Sequence, residues 1–286
     1  LSSPLVRRRR LAKELRRLRE EAGLTAEELA RAAKMSRPKL SRFETADRVP
    51  SVSDVSAILG ALSVDGERWH ELVRMANDAA ERGWWESYGS GMGRRQAVYA
   101  NLEHGAVSIR EYQSFVVPGL LQVPAYTRAR SELAFKQARL PSADLDRTVE
   151  AKMMRQRMLA RPDGPRYEVV VEEVAVRRPA APPEVMREQL LHLATLAEGS
   201  GRVSVRVLPQ AAELRDYWLP RSPFTVYRFG GGDPDAVAVD TETVDLVYTE
   251  PDEVVPYADL FGRVWESALP AEDSAGLLRG VAGAGR

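Results

Sequence analysis

The run SRPKLSR, residues 36–42, holds five side chains that can donate hydrogen bonds: Ser36, Arg37, Lys39, Ser41 and Arg42. Such donors suit phosphate oxygens, and the fork of an Arg suits the O6 and N7 acceptors of guanine. They act together only if one element projects them from one side. Ser36 is placed to cap a helix, and Pro38 falls in its first turn, where the missing N–H is no loss. Leu40 and Phe43 then turn inward, leaving Arg37, Lys39, Ser41 and Arg42 on the outward face.

Other chemistries find less support. The chain has no Cys, which removes thiol catalysis, disulfides and Cys-based metal sites. Its three histidines, His70, His104 and His192, have no second His at i+3 or i+4, so neither a metal nor a cofactor is expected. Glu103, Glu172, Glu173, Asp240 and Glu242 are carboxylates that a paired acid and base would need, but spacing does not say whether any two converge. GSGMG at 89–93 and GGGD at 230–233 open no helix after a strand, so they read as linker and turn rather than phosphate loops. No catalytic residue is assigned, and the chain is not expected to be an enzyme.

The elements that must hold the donors begin with Leu11, Leu15, Leu18 and Ala22, whose helical spacing and stop at Gly23 predict a helix over Arg7–Ala22. The chain does not start with Met, so a trimmed start is expected and Leu1–Pro4 are assigned no structure. Thr25 and Glu28 form a capping box for a short second helix on Leu29, Ala30 and Ala33. A turn at Lys34-Met35-Ser36 leads into the basic third helix. Ser51 and Asp54 open a fourth on Val52, Val55, Leu59 and Leu62, and Trp69, Leu72, Val73 and Ala76 suggest a fifth. Two short helices joined by a tight turn, the second basic, make a helix-turn-helix. Charge points the same way. Residues 1–50 carry 14 basic and 7 acidic side chains against 27 and 34 in the rest, an asymmetry hidden in totals of 41 and 41. A basic end on an acidic chain favours a polyanion partner.

Over about 60 residues, LRRLREEAGLTAEELARAAKMSRPKLSRFETADRVPSVSDVSAILGAL resembles the Cro/C1-type (Xre) helix-turn-helix domain. The resemblance implies an ion pair between Arg19 and Glu44 that also turns Arg19 towards backbone phosphates. It places Arg37, Pro38 and Arg42 against base edges, and Ser36, Lys39 and Ser41 at phosphates or in ordering roles. Two positions depart from the family: Ala26 stands where it usually has a DNA-contacting Gln, and Lys34 where the turn usually has Gly. A non-Gly residue in that left-handed turn costs roughly 1–2 kcal/mol.

Beyond Arg82, WWESYGSGMGRRQ breaks the helical pattern, so the domains are read as 1–82, a linker at 83–97, and 98–286. The distal part is expected to be α+β with a mainly antiparallel sheet. Val107–Val117 reads as a strand or extended segment, a helix follows from about Ala125, and Asp144–Arg161 is a helix with a Met-rich face. Tyr167–Val171, a helix over Glu184–Glu198, and Val203–Leu208 run strand, helix, strand. Phe224–Phe229, Ala236–Val239 and Thr243–Tyr248 predict an antiparallel meander, Val254–Leu269 a helix, and the closing GVAGAGR a frayed end. Gln122 and Tyr126 in PGLLQVPAY, with Arg177 and Arg178, are the candidates for a partner or ligand cleft. Trp84, Trp85 and Trp218 would add to an interaction surface if exposed.

Phrases such as SIREYQSFVVPGLLQVPAYTRA, AKMMRQRMLARPDGPRYEVVVEE and YADLFGRVWESALPAEDS resemble the uncharacterised domain that follows this helix-turn-helix in many actinobacterial, antitoxin-like regulators. The segment LEHGA, 102–106, departs from that pattern at His104 and Gly105. Together the resemblances imply a DNA-binding regulator of transcription whose distal domain senses or binds something. A single small reading head needs more contacts, so a homodimer on an inverted repeat of double-stranded DNA is expected, and the start LSSPLVRRRR, without the apolar core of a signal peptide, leads to the expectation of a cytoplasmic, nucleoid-associated protein. Control through the distal domain by a partner protein or small ligand is expected. The alternative is an antitoxin-like module that sequesters a small protein encoded nearby, with DNA binding as autoregulation. No apolar run reaches the roughly 18 residues of a membrane span, so no membrane partner is expected.

Overall fold

The computed structural model describes residues 3–138, 143–199, 201–241 and 245–284. The chain divides into two compact units, Leu1–Trp84 with Phe229–Pro234, and Trp85–Arg228 with Asp235–Arg286.

The first unit holds helices α1 (Pro4–Glu21), α2 (Ala26–Ala32), α3 (Arg37–Glu44), α4 (Val52–Ala61) and α5 (Gly66–Ala79). Ser3, Thr25, Ser36 and Ser51 cap the first four, each accepting the N–H three residues on. Thr25 with Glu28, and Ser51 with Asp54, close complete capping boxes. Leu11, Leu15, Leu29, Leu40, Phe43, Ile58 and Leu72 fill the core between the helices. Two expectations are corrected here. Helix α1 starts at Pro4 because Ser3 is itself buried and supplies the cap. Val52, in the first turn of α4, is 37% exposed, and Ile58 takes its place in the core. The loop Phe229–Pro234 belongs to this unit, and Asp233 there accepts from Arg7 Nε at 2.6 Å and from Arg10 at 3.2 Å.

The second unit runs α6 (Gly93–Gly105), β1 (Ala106–Gln113), α7 (Pro124–Ala138), α8 (Ala143–Gln156), β2 (Arg166–Glu172), α9 (Glu173–Arg177), α10 (Pro183–Glu198) and β3 (Val203–Leu208). It continues through β4 (Phe224–Phe229), β5 (Ala236–Asp240), β6 (Asp245–Tyr248), α11 (Pro251–Ser267) and α12 (Ala271–Ala284). The strands form one sheet in the order β3-β2-β1-β4-β5-β6. The α+β class holds, but antiparallel pairing joins β4, β5 and β6, whereas β1, β2 and β3 are parallel. Parallel neighbours need a crossover, and α7 with α8, then α9 with α10, supply the two.

Alternation along the strands divides their side chains between two faces. Tyr112, Val170, Phe224, Val226, Val237 and Val239 share a core with Val254, Phe261 and Val264 of α11. Glu111, Gln113, Thr225, Tyr227 and Asp240 therefore project to the opposite face.

Two further expectations are corrected. The segment 83–97 is no irregular linker: it forms a 3-10 helix, Trp84–Gly91, and the first turn of α6, because Trp85 and Met92 are buried. Of the closing GVAGAGR, residues 280–284 do not fray but complete helix α12, Ala271–Ala284. Ala275, Leu278 and Ala282 are buried along one side of α12, and packing against α10 and β3 outweighs the poor helix propensity of its glycines. Thr243, the first residue of the expected last strand, lies outside the described residues, as does Glu242.

Candidate nucleic-acid interface and distal cavity

At about 100° per residue, Arg37, Ser41, Pro38 and Arg42 cover an arc of about 140° on α3. All four are exposed, as is the capping Ser36. Leu40 and Phe43 face the core, each at most 1% exposed. Residues on the two flanks are fastened down. On one, Lys39 Nζ lies 2.6 Å from Asp54 of α4 and 5.6 Å from the Phe43 ring centroid. On the other, Glu44 takes Arg19 Nε at 2.8 Å and Nη2 at 3.1 Å, while Arg19 Nη1 donates to Leu24 O at 2.9 Å. The structure thus gives Lys39, grouped from sequence with the outward donors, a partner within the unit. Its position, between the exposed arc and the inner face, is the reason.

The basic excess of the first fifty residues is largely matched inside the unit. Arg16 pairs with Glu20, Arg17 with Glu14 and Glu21, and Arg10 with Glu71 and Asp233. Arg31, Lys34, Arg37, Arg42 and Arg48, all on or beside α3, are exposed and form no ion pair among the described residues. Lys34 holds the turn before α3 with φ 53°, the left-handed conformation that favours Gly.

In the second unit the four cleft candidates do not converge. Gln122 lines one cavity, but its amide is spent locally, donating to Val117 O at 2.8 Å and accepting from Thr127 Oγ1 at 3.0 Å. Tyr126 is fully buried. Arg177 pairs with Glu173 at 2.5 Å and borders a separate apolar groove of about 250 Å³ with Pro179, Met186 and Leu190. Arg178 lies over the exposed Phe115 ring at 5.8 Å. The PGLLQVP corner is held by two amides: Gln156 donates to Gly119 O and Gln122 O, and the buried Gln189 bridges Leu121 O and Val123 N at 2.8 Å each.

The cavity that Gln122 borders has a volume of about 180 Å³ and a lining drawn from α6, β1, α8, β4 and β5. Glu103 of α6 and Arg155 of α8 form a bidentate pair across it, with side chains 3% and 8% exposed and Nε to Oε2 at 2.9 Å. Arg155 also donates to Gln96 and lies 5.5 Å from the Tyr99 ring centroid, and the Tyr99 hydroxyl donates to Asp240. Glu111 accepts from Gln113 Nε2 at 3.0 Å and from the Tyr167 hydroxyl. Burial pushes its carboxyl up to about 7 despite those two donors. Gln113 Oε1 is buried without a partner among the described residues. Among the described residues Lys152 Nζ has only Ser131 Oγ, at 3.2 Å, and burial with the nearby Arg155 and Arg130 pushes the amine down to about 8.

Of the carboxylates singled out from sequence, Glu103 and Asp240 share this cavity, while Glu172 accepts from Tyr112 and Glu173 from Gln210 N. Glu111, Gln113, Lys152 and Arg155 were missed. Signals existed: Lys152 falls on the same helical stripe as Leu145 and Val149, and Glu111 and Gln113 alternate with Tyr112 in a strand with both faces covered. Trp85 is buried, whereas Trp218 is 56% exposed beside Tyr217 and Leu219, 89% and 68% exposed. Among the described residues no His, Asp or Glu group is arranged to hold a metal, and no helix is long and apolar enough to cross a membrane.

Comparison with known families accounts for both units. A helix-turn-helix domain family matches residues 10–72, and the family described as a domain of unknown function (DUF5753) matches residues 96–280. No curated protein and no solved structure matches the chain. The second match covers well over half of the residues, so the chain belongs to the DUF5753 family, and it carries a helix-turn-helix domain ahead of the family's own.

Proposed function

We propose that the chain is a sequence-specific transcriptional regulator of the Cro/C1 (Xre) type, a cytoplasmic homodimer that reads an inverted repeat with α3 of each copy in successive major grooves. The carrying observation is the exposed arc of α3, where Arg37 and Arg42 form no ion pair among the described residues while their flanking charges are fastened to α1 and α4. Arg37 and Arg42 reach base edges in this reading, and Ser36, Ser41 and the neighbouring cations meet phosphates. Half-sites lie about 34 Å apart or at multiples of that. The second unit binds a controlling ligand or partner and catalyses no reaction. Genome-wide immunoprecipitation, followed by gel shifts of the leading site at stated salt, tests this. Sharp peaks that share an inverted repeat and are lost in Arg37→Ala/Arg42→Ala support it; absence of enrichment sinks it.

A second reading, an antitoxin-like module that sequesters a small neighbour-encoded protein, is favoured by one observation. Tyr217, Trp218, Leu219 and Val255 expose 54–89% of their surface, an apolar cluster of the type found at binding sites. Co-purification of the neighbour's product, with a change in DNA affinity when it is added, separates this reading from the first.

A further inference from the structure

The cavity between α6, α8 and the sheet is lined by three carboxylates, Glu103, Glu111 and Asp240, and three cations, Arg95, Lys152 and Arg155. The carboxylates each accept from a neighbour: Glu103 from Arg155, Asp240 from Tyr99, and Glu111 from Tyr167 and Gln113. Of the cations, Lys152 has only a hydroxyl, Ser131 Oγ, as partner among the described residues. Lys152 borders the cavity, is mostly buried, and makes no ion pair among the described residues. A buried ammonium without a counter-ion is a strongly unfavourable arrangement, which an anion in the cavity would relieve. In the same lining, Gln113 Oε1 is an acceptor without a donor among the described residues, and the residue is only 6% exposed. Such an atom can accept an N–H or O–H from a molecule that enters the cavity.

Two unmet groups of opposite demand in one cavity define a ligand. A cavity of about 150 Å³ is known to take a benzene-sized molecule, so the 180 Å³ here suits a small metabolite rather than a peptide. We propose that this cavity binds a small carboxylic acid that also carries a hydrogen-bond donor, an α-amino or α-hydroxy acid, with its carboxylate on Lys152 and its donor on Gln113 Oε1. The proposal deepens the regulator reading, since it names the class of ligand through which the second unit would act. β4 and β5, whose Tyr227 and Asp240 border the cavity, run on into the Phe229–Pro234 loop of the first unit, so the ligand's walls are covalently continuous with that unit.

The chain has only five lysines, Lys13, Lys34, Lys39, Lys136 and Lys152, which makes the test direct. Full-length protein with 13C-labelled lysine is titrated with L-alanine, L-serine, L-lactate, acetate and ethylamine, and the Lys152 Cε signal, assigned by its loss in Lys152→Met, is followed. At least one of the three donor-bearing acids is expected to shift that signal saturably and raise the thermal midpoint. Acetate should bind about tenfold more weakly, one hydrogen bond's worth, and ethylamine not at all. Gln113→Leu should bring the donor-bearing acids down to the level of acetate, a change that a general loss of structure would not produce. No shift with any acid, ethylamine binding as well as the acids, or undiminished binding to Lys152→Met each overturns the proposal. Gel shifts with and without the bound acid separate the two readings. A changed DNA affinity supports the cavity and its control of the regulator together. Unchanged affinity leaves the ligand site standing and removes its regulatory role, while absence of DNA binding in every sample removes the regulator and not the cavity.

Discussion

The two units handle charge in opposite ways. In the first, exposed pairs along α1 such as Arg16–Glu20 and Arg17–Glu21 stand beside less exposed ones that tie elements together, such as Arg19–Glu44, and the cations without an ion pair among the described residues gather beside α3. In the second, Glu103, Glu111, Arg155 and Lys152 are carried into the space between helices and sheet. Exposed pairs contribute little to stability and are readily exchanged for contacts with a polyanion. Buried groups are held in place by their partners, and a buried charge left without one is strongly unfavourable. The first arrangement suits a surface that meets DNA, the second a cavity that selects a small molecule.

The contrast is most easily broken at Glu103. Glu103→Ala strands the Arg155 guanidinium in a site where both side chains are nearly inaccessible, and should destabilise the second unit by about 3–5 kcal/mol in urea unfolding. In the first unit, Arg16→Ala removes an exposed pair of the same formal charges and should leave the midpoint unmoved. Equal losses from the two would erase the distinction.

Glu111 sharpens it through pH. Its carboxyl is raised from 4.5 to about 7, chiefly by burial, so the folded state holds a proton that the unfolded state has released. The contribution is fully present below pH 4.5 and is lost as pH rises through about 7, a decline of about 3 kcal/mol in unfolding free energy. Glu111→Gln should flatten that part of the stability profile and be the more stable protein at pH above about 7. An unchanged slope would mean that the carboxyl is ionised in the fold.

On the DNA side, Arg42→Ala should lose about 1–3 kcal/mol on the cognate site and relax one position of the consensus, with the fold intact. Equal loss on all sequences would make Arg42 a phosphate contact. The smallest effect is a gain: Lys34→Gly, at φ 53°, should stabilise the first unit by about 1 kcal/mol, read from its thermal midpoint.

These expectations differ in how far the sequence alone could reach them. The caps Thr25, Ser36 and Ser51, the inward Leu40 and Phe43, and the outward Arg37 and Arg42 were legible because each depends on neighbours within four residues. Lys39 was legible as a donor but not as a partner of Asp54, fifteen residues on in another helix. In the second unit, element positions were largely readable from periodicity, but α12 was not, since glycines hide an apolar stripe that matters only once α10 lies beside it. Gln122 and Arg177 drew notice as polar residues beside corners, yet they border different cavities.

By itself, then, the sequence determined the helix-turn-helix, its caps and the exposed basic face of α3, because helical phase is a local property set by 3.6-residue periodicity and by hydrogen bonds between near neighbours. Only the tertiary structure decided the direction of β1, β2 and β3 and the meeting of Glu103, Glu111, Gln113, Lys152, Arg155 and Asp240. Those residues come from elements separated by helical crossovers, and nothing in their spacing fixes which strand lies beside which. What brings them together is the burial of the apolar residues around them, and their unmet hydrogen bonds and charge exist only after that burial has occurred.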